Sequence, residues 1–345
     1  MMRMWTAALS ACVLMGSIAQ ASVSDDLWVA DYDEAMRIAK ESGKDVLVDF
    51  TGSDWCIWCK RLDGEVFSQE YFKTEAPKDY VLCALDFPND PAIQAKVPNP
   101  ERNAEIRDKF EIRGYPTILV LTNEGEVVAE TGYREGGPNS YVEHLRDISA
   151  KGHAAIRKVA EIVAAYERAA EGDARTAALK NVVAAYAEMW EAAPARKLQP
   201  LVTKAYEMDA DGTLGMRKPA LGALLRSGAG DEAMATEAEK IDAENAEGLF
   251  ELAVIFHFGQ VRDDESASAA IDTLEDLLLC DAIHDTEQIA QLCAQAAMWC
   301  AEPKLLDDAP RAQKLAAKAL ELGIDDERTR KMLESIVASG EGAEG

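Results

Sequence analysis

The sequence predicts two domains of different class, an α/β domain followed by an all-α domain built from helical repeats. Three observations carry this. Aromatic and β-branched residues concentrate before residue 150, alanine dominates beyond it, and the hydrophobic period becomes purely helical there. At 345 residues the chain is long enough for two or three cores. Its composition, 48% apolar and 28% charged, is too apolar for a disordered chain and too broken by charge for a multispanning membrane protein. With 36 basic against 62 acidic side chains the net charge is -26, a field that repels phosphate backbones and anionic lipid. Nucleic acid is therefore not an expected partner.

The run Met4 to Ile18 follows Arg3 and ends at Ala19-Gln20-Ala21, the pattern of a secretory signal peptide over residues 1–21. At about 15 residues it falls short of the roughly 20 that span a bilayer, so the mature chain, beginning at Ser22, is expected not to insert in a membrane. A competing reading is a lipoprotein signal, because Leu9-Ser10-Ala11 precedes Cys12. Export favours disulfide chemistry.

From Asp31 to Ser42, Ala35, Met36, Ile38 and Ala39 share one helical face, with Gly43 just past the end. Val46-Leu47-Val48 then reads as a buried strand that runs into Asp49-Phe50-Thr51-Gly52. A helix starting near Cys56 carries Leu62, Val66 and Phe67 inward, and Tyr80 to Phe87 is a second buried strand. Four prolines between Pro88 and Asn103 indicate a surface loop, after which Asn103 caps a short helix to Phe110. The runs Thr117 to Leu121 and Val127 to Thr131 flank Asn123-Glu124-Gly125-Glu126 as a hairpin, and a helix from Pro138 to Ala150 closes the 22–150 domain.

Over residues 151–338 nearly every segment has helical period, as in Ile156, Val159, Ala160, Val163 and again in Leu179, Val182, Val183, Tyr186. A weak repeat places the segments starting at Ala205 and Ala238, each with Asp four residues on, 33 residues apart. That spacing is similar to tetratricopeptide repeats, although the residues that mark them are mostly missing, and an irregular bundle is the other reading. Residues 339–345 are Gly, Glu and Ala after one Ser, and read as a disordered tail.

Trp55-Cys56-Ile57-Trp58-Cys59-Lys60 sets two cysteines three apart at a strand-to-helix junction. Cys56 then lies at the helix start, where free amides and the dipole stabilise a thiolate, and Cys59 lies one turn inside, shielded. Such a pair performs two-step exchange: the outer thiolate attacks a disulfide and the inner thiol resolves the product. Lys60 rules out haem attachment, and without a second pair there is no four-cysteine zinc site. A plain structural disulfide is the competing use.

The chain resembles thioredoxin-like proteins in Val46-Leu47-Val48-Asp49-Phe50, in Trp55 to Lys60, and in Ile112 to Leu121 with Gly114-Tyr115-Pro116. The resemblance covers about residues 28–150, and Asp49 to Cys56 followed by Glu65-Val66-Phe67-Ser68 is similar to exported bacterial members. It implies that Pro116 is a cis-proline facing the cysteines, that Trp55, Tyr115 and Pro116 bind substrate, and that Asp49 is a buried base acting on Cys59. The sequence departs from ordinary thioredoxin in three ways. An extra residue separates Asp49 from Cys56, no lysine occurs between Tyr80 and Phe87 to pair with Asp49, and Ile57-Trp58 replaces Gly-Pro. Without that lysine, desolvation is expected to raise the Asp49 pKa.

Cys83 reads as core. Cys280 can bond to Cys293 or Cys300, although buried free thiols are the favoured reading. His144, His153, His257 and His284 show no ligand spacing, so neither metal nor cofactor is expected. Tyr166, Tyr186, Trp190, Tyr206, Phe250, Phe256 and Trp299 recur at helical spacing as core. The expected function is an exported thiol-disulfide oxidoreductase of the bacterial periplasm, acting on protein thiols and disulfides with an unidentified electron donor or acceptor. Its helical domain is expected to recognise substrate or partner. Two rivals are an interaction protein that keeps the first domain as scaffold or redox sensor, and a thiol peroxidase.

Overall fold

A computed structural model of the chain describes residues 27–341. The expected signal peptide, Cys12 and the last residues of the tail lie outside that range. The chain divides into two compact units, the first ending at His144 but without 127–129, the second taking 127–129 and everything from Leu145 onward.

In the first unit α1 (Tyr32–Ser42) begins where the Asp31 carboxylate accepts the Glu34 N–H at 2.9 Å and stops at Gly43, whose φ of 71° is the left-handed cap. It buries Tyr32, Ala35 and Ala39. Strand β1 (Asp45–Thr51), continuously apolar in its middle, is the inner strand of a four-stranded sheet in the order β2-β1-β3-β4. It pairs parallel with β2 (Tyr80–Asp86) and antiparallel with β3 (Thr117–Leu121), which sets Asp49 beside Ala84 on one side and Ile118 on the other. The turn from β3 to β4 (Val127–Thr131) is the expected hairpin, with Gly125 at φ 81° and the Thr122 N–H donating to the Glu126 carbonyl at 2.8 Å.

Four details differ from the sequence reading. The helix after the cysteines is α2 (Ile57–Leu62) followed by one π-helical turn (Asp63–Phe67), which still buries Leu62, Val66 and Phe67. An unforeseen helix, α3 (Glu70–Asp79), buries Phe72 and Ala76 and tolerates Pro77 near its end. The stretch expected as loop holds the short α4 (Pro91–Gln94), and α5 (Pro100–Lys109) starts one turn early, because Pro100 has the backbone angle of a first helical residue. Asn103 is thus inside α5 rather than at its cap, 2% exposed, with neither amide atom partnered, and it faces a cavity of about 160 Å³ shared with Asp86 and Lys96.

The fourth difference is α6 (Gly137–Arg168), which runs straight past residue 150. Gly152 lies inside it because a Cβ there would come 2.1 Å from the Val128 carbonyl oxygen. The second unit continues through α7 (Asp173–Met189), a 3-10 turn (Ala193–Leu198), α8 (Gln199–Met208), α9 (Arg217–Arg226), α10 (Glu232–Ile241) and α11 (Leu249–Gln260). Then follow α12 (Asp264–Leu277), α13 (Thr286–Ala301), α14 (Ala309–Leu322) and α15 (Glu327–Glu341). Helix α15 takes in Ser339, expected in the tail, whose hydroxyl donates to the Ile336 carbonyl at 2.7 Å. None of the described helices is long and apolar enough to cross a membrane. One core gathers Leu179, Val182, Tyr186, Val202 and Leu224; another gathers Ile271, Leu274, Ile289, Cys293, Cys300 and Leu315. Tyr166, Tyr186 and Phe250 are buried in these cores, while Trp190, Tyr206, Phe256 and Trp299 pack against them half-buried.

The repeat seen in the sequence has a physical basis. Asp209 is fully buried just past α8 and accepts the N–H groups of Leu214, Met216 and Arg217 at 2.7, 2.6 and 2.9 Å. Asp242, at the matching place after α10, accepts those of Glu247 and Leu249 at 3.0 and 2.8 Å. Each carboxylate closes one helix and opens the next by taking up donors the new helix cannot satisfy itself.

Candidate active site

Beyond β1 the chain turns through Gly52, whose carbonyl accepts the Cys56 N–H at 2.9 Å, so that Cys56 becomes the N-cap of α2. The turn is pinned to the end of β2, where Asp86 accepts the Ser53 N–H and hydroxyl at 2.9 and 2.6 Å. The Asp54 carboxylate accepts the Asp90 N–H at 2.7 Å. Cys56 and Cys59 are joined by a disulfide, with α-carbons 5.3 Å apart. The Cys59 N–H points at the Cys56 sulfur, 3.1 Å away. A helix-end amide aimed at sulfur favours the thiolate after reduction. The expected contrast in exposure is absent in this disulfide form, since both cysteines are 5% exposed. Capping and bonding to Cys59 turn the Cys56 sulfur inward over the first helical turn.

Asp49 is 8% exposed, and its Oδ1 has no hydrogen-bond partner. It lines a cavity of about 320 Å³ together with Cys59, Lys60, Asp63, Trp28 and Ala84. The strand neighbour is Ala84, which brings no cation. Burial, with smaller contributions from the Asp63 and Asp86 carboxylates, pushes the Asp49 carboxyl up to about 8. The extra residue before Cys56 therefore still leaves Asp49 and Cys59 on one cavity.

Aromatic side chains surround the cysteine segment. Trp55, 46% exposed, donates its indole N–H to the Phe87 carbonyl at 2.9 Å and meets Tyr115 edge-on at 5.5 Å between centroids. Gly52 makes room for that ring, because a Cβ there would lie 2.5 Å from it. The Tyr115–Pro116 peptide bond is cis. The sequence reading gave no binding role to Ile57 and Trp58, 67% and 48% exposed, or to the group of Arg61, Glu65 and Tyr133 beside Trp58. The exposed pair within the cysteine motif was the available signal, whereas Tyr133 meets Glu65 only through the fold.

The other described cysteines, Cys83, Cys280, Cys293 and Cys300, are free. Burial pushes the Cys83 thiol far above its ordinary range, Cys293 up to about 12 and Cys300 up to about 11. At neutral pH these are inert thiols.

Residues 27–123 match the family model described as thioredoxin-like. Over 118 residues the chain is 29% identical to the disulfide bond reductase DsbH of Chlamydia pneumoniae, covering 33% of this chain and 68% of that one. It is 34% identical over 116 residues to a protein disulfide-isomerase of Datisca glomerata, covering 33% of this chain but 20% of the relative. It is 27% identical over 107 residues to the thioredoxin-related protein DsbJ of Chlamydia pneumoniae, covering 31% of this chain and 30% of that relative. The solved structure of a DsbH oxidoreductase aligns with 41% of this chain and 95% of its own at 26% identity, with a TM-score of 0.32. These relatives are named for disulfide reduction, isomerisation or a thioredoxin relationship, and the chain holds a cysteine pair suited to that chemistry. The chain folds as a thioredoxin-like α/β domain followed by a mostly helical region.

Proposed function

We propose that the protein is an exported thiol-disulfide oxidoreductase that exchanges disulfides with protein thiols through Cys56 and Cys59. The observation that carries this reading is the placement of Cys59 on the same cavity as Asp49, a buried carboxylate with one oxygen unpartnered, while Cys56 caps the helix. In the reduced protein the Cys56 thiolate attacks a substrate disulfide, forms a mixed disulfide and releases one substrate thiolate. Cys59 gives its proton to Asp49 and attacks the Cys56 sulfur, which expels the second substrate thiolate. Two electrons pass from the dithiol to the substrate, and an external dithiol restores the pair. Pushed up to about 8 by burial, the Asp49 carboxyl can exchange a proton near neutral pH, the range useful to a general base.

Trp55, Tyr115 and Pro116 present the extended substrate segment in this reading. The helical domain, 151–338 beside an exchange domain of 22–150, holds substrate or partner on its stacked, tetratricopeptide-like helices. Export to a bacterial periplasm follows from the segment 1–21. The test is insulin reduction with dithiothreitol as donor, using the full mature chain. Cys56→Ser is expected to lose turnover entirely, and Cys59→Ser to accumulate reductant-sensitive complexes with substrate. Retained turnover in Cys56→Ser overturns the mechanism, and a mass spectrum of the exported protein showing an intact Met1, or a diacylated Cys12 as the new N-terminus, overturns a mature chain that begins at Ser22.

A further inference from the structure

Trp58 is a large indole lying between the two cysteines in sequence and left half exposed, yet it is held in place. The Arg61 guanidinium lies 5.2 Å from the Trp58 ring centre and 5.1 Å from that of Tyr133. The two rings are 5.2 Å apart. One carboxylate closes the arrangement: Glu65 accepts the Arg61 Nε–H at 3.0 Å and the Tyr133 hydroxyl at 2.6 Å. Four side chains from α2, its π-helical turn and the segment after β4 thereby fix an exposed aromatic surface. Folding alone does not call for this, since an indole left half in water returns little hydrophobic stabilisation. A pre-ordered aromatic surface does reduce the entropy lost when a partner binds.

The charges nearby indicate the partner. Arg61 is balanced by Glu65 and faces Glu135 as well, while Lys60 donates to the Asp54 backbone carbonyl at 2.6 Å and shares a cavity lining with Asp63. Glu65 and Glu135 face the cluster, and the chain's net charge is -26. An acidic segment is repelled and a basic one attracted. Exposed Ile57 extends the apolar surface beside Trp58.

We infer that Trp58, held by Arg61, Tyr133 and Glu65, selects the substrate by taking a bulky apolar side chain next to the reacting cysteine of a basic protein segment. This rests on the exchange reading above. The experiment uses the full chain, dithiothreitol as donor, and two symmetric peptide disulfides of equal length. One carries leucine on both sides of its cysteine and lysine beyond; the other carries serine and glutamate. The wild type is expected to prefer the first by about tenfold or more in kcat/KM, a difference of about 1.4 kcal/mol. Trp58→Ala is expected to bring the ratio to about three or less, chiefly through KM, and Trp58→Phe to keep it. Tyr133→Phe, which loses the bond to Glu65, is expected to fall between them. A wild-type ratio near one, or a ratio unchanged in Trp58→Ala, overturns the inference. Turnover of 2-hydroxyethyl disulfide by the wild type separates the two levels. If that small disulfide is reduced while the peptides are not distinguished, selection by Trp58 fails alone; if it is not reduced, the exchange reading fails too.

Discussion

Buried carboxylates in the two units have opposite surroundings. In the helical unit, Asp209 and Asp242 are saturated with backbone donors, and Glu251 accepts the N–H groups of His284 and Asp285 at 2.9 and 2.7 Å. In the thioredoxin-like unit, Asp49 is also buried but has an empty oxygen, two other carboxylates nearby and the Cys59 sulfur on the same cavity. The first arrangement takes up backbone donors and serves the fold. The second makes the anion costly and keeps a proton within exchange range. A buried acid with filled hydrogen-bond capacity is thus a structural part, and one left unfilled beside sulfur is a chemical one.

The largest test of that contrast is pH. Asp49 has its pKa raised above the ordinary carboxylate value near 4, so the folded state holds a proton the unfolded chain has lost. Its contribution is complete below about pH 4 and is lost as pH rises toward 8, by several kcal/mol at the upper limit. Hydrogen exchange of the β1 amides is expected to show the first unit weakening over that window, and Asp49→Asn to flatten the slope while slowing disulfide exchange about tenfold. A slope that persists in Asp49→Asn breaks the comparison.

Next in size, Asp209→Ala removes an acceptor of three N–H groups, that of Met216 buried, and is expected to cost about 3 kcal/mol, read as faster exchange of α9 amides. Backbone donors lower the Asp209 pKa against the raising effect of burial, so this contribution is present above about pH 4 and fades only below it. Opposite pH profiles for Asp49 and Asp209 are the sharpest form of the contrast. The smallest effect belongs to Gly52→Ala. Its Cβ displaces the Trp55 ring, and a KM increase of a few fold with altered tryptophan fluorescence is expected, at about 1 kcal/mol of stability.

Features set by local pattern were legible in the sequence. The β1 and β2 runs, the hairpin at Gly125 and the cysteine pair at a helix start all follow from neighbours a few residues apart. Asp49 without a cationic partner was legible too, because the strand opposite contains no lysine. Misreadings came where two local rules competed. Helix α3, with Pro77 near its end, went unread, and Pro100 outranked Asn103 as the start of α5. Gly152 interrupts a helical pattern, but it answers a close approach by the Val128 backbone rather than a helix end. The Trp58 cluster was invisible for another reason, since Tyr133 and Glu65 are 68 residues apart and only the folded sheet joins them.

The aspartate junctions of the helical unit also bear on the order in which the chain acquires its shape. Asp209 and Asp242 find their donors within eight residues, so each helix pair closes its own corner without waiting for distant sequence. Strand β1 must meet β2, Asp49 with Ala84, and then β3, Asp49 with Ile118, across much longer loops. Closing those loops costs more chain entropy before any pairing offsets it. The helical unit is therefore expected to order before the thioredoxin-like one. Cys56 and Cys59 belong to the later unit, and their thiols remain open to oxidants throughout that interval.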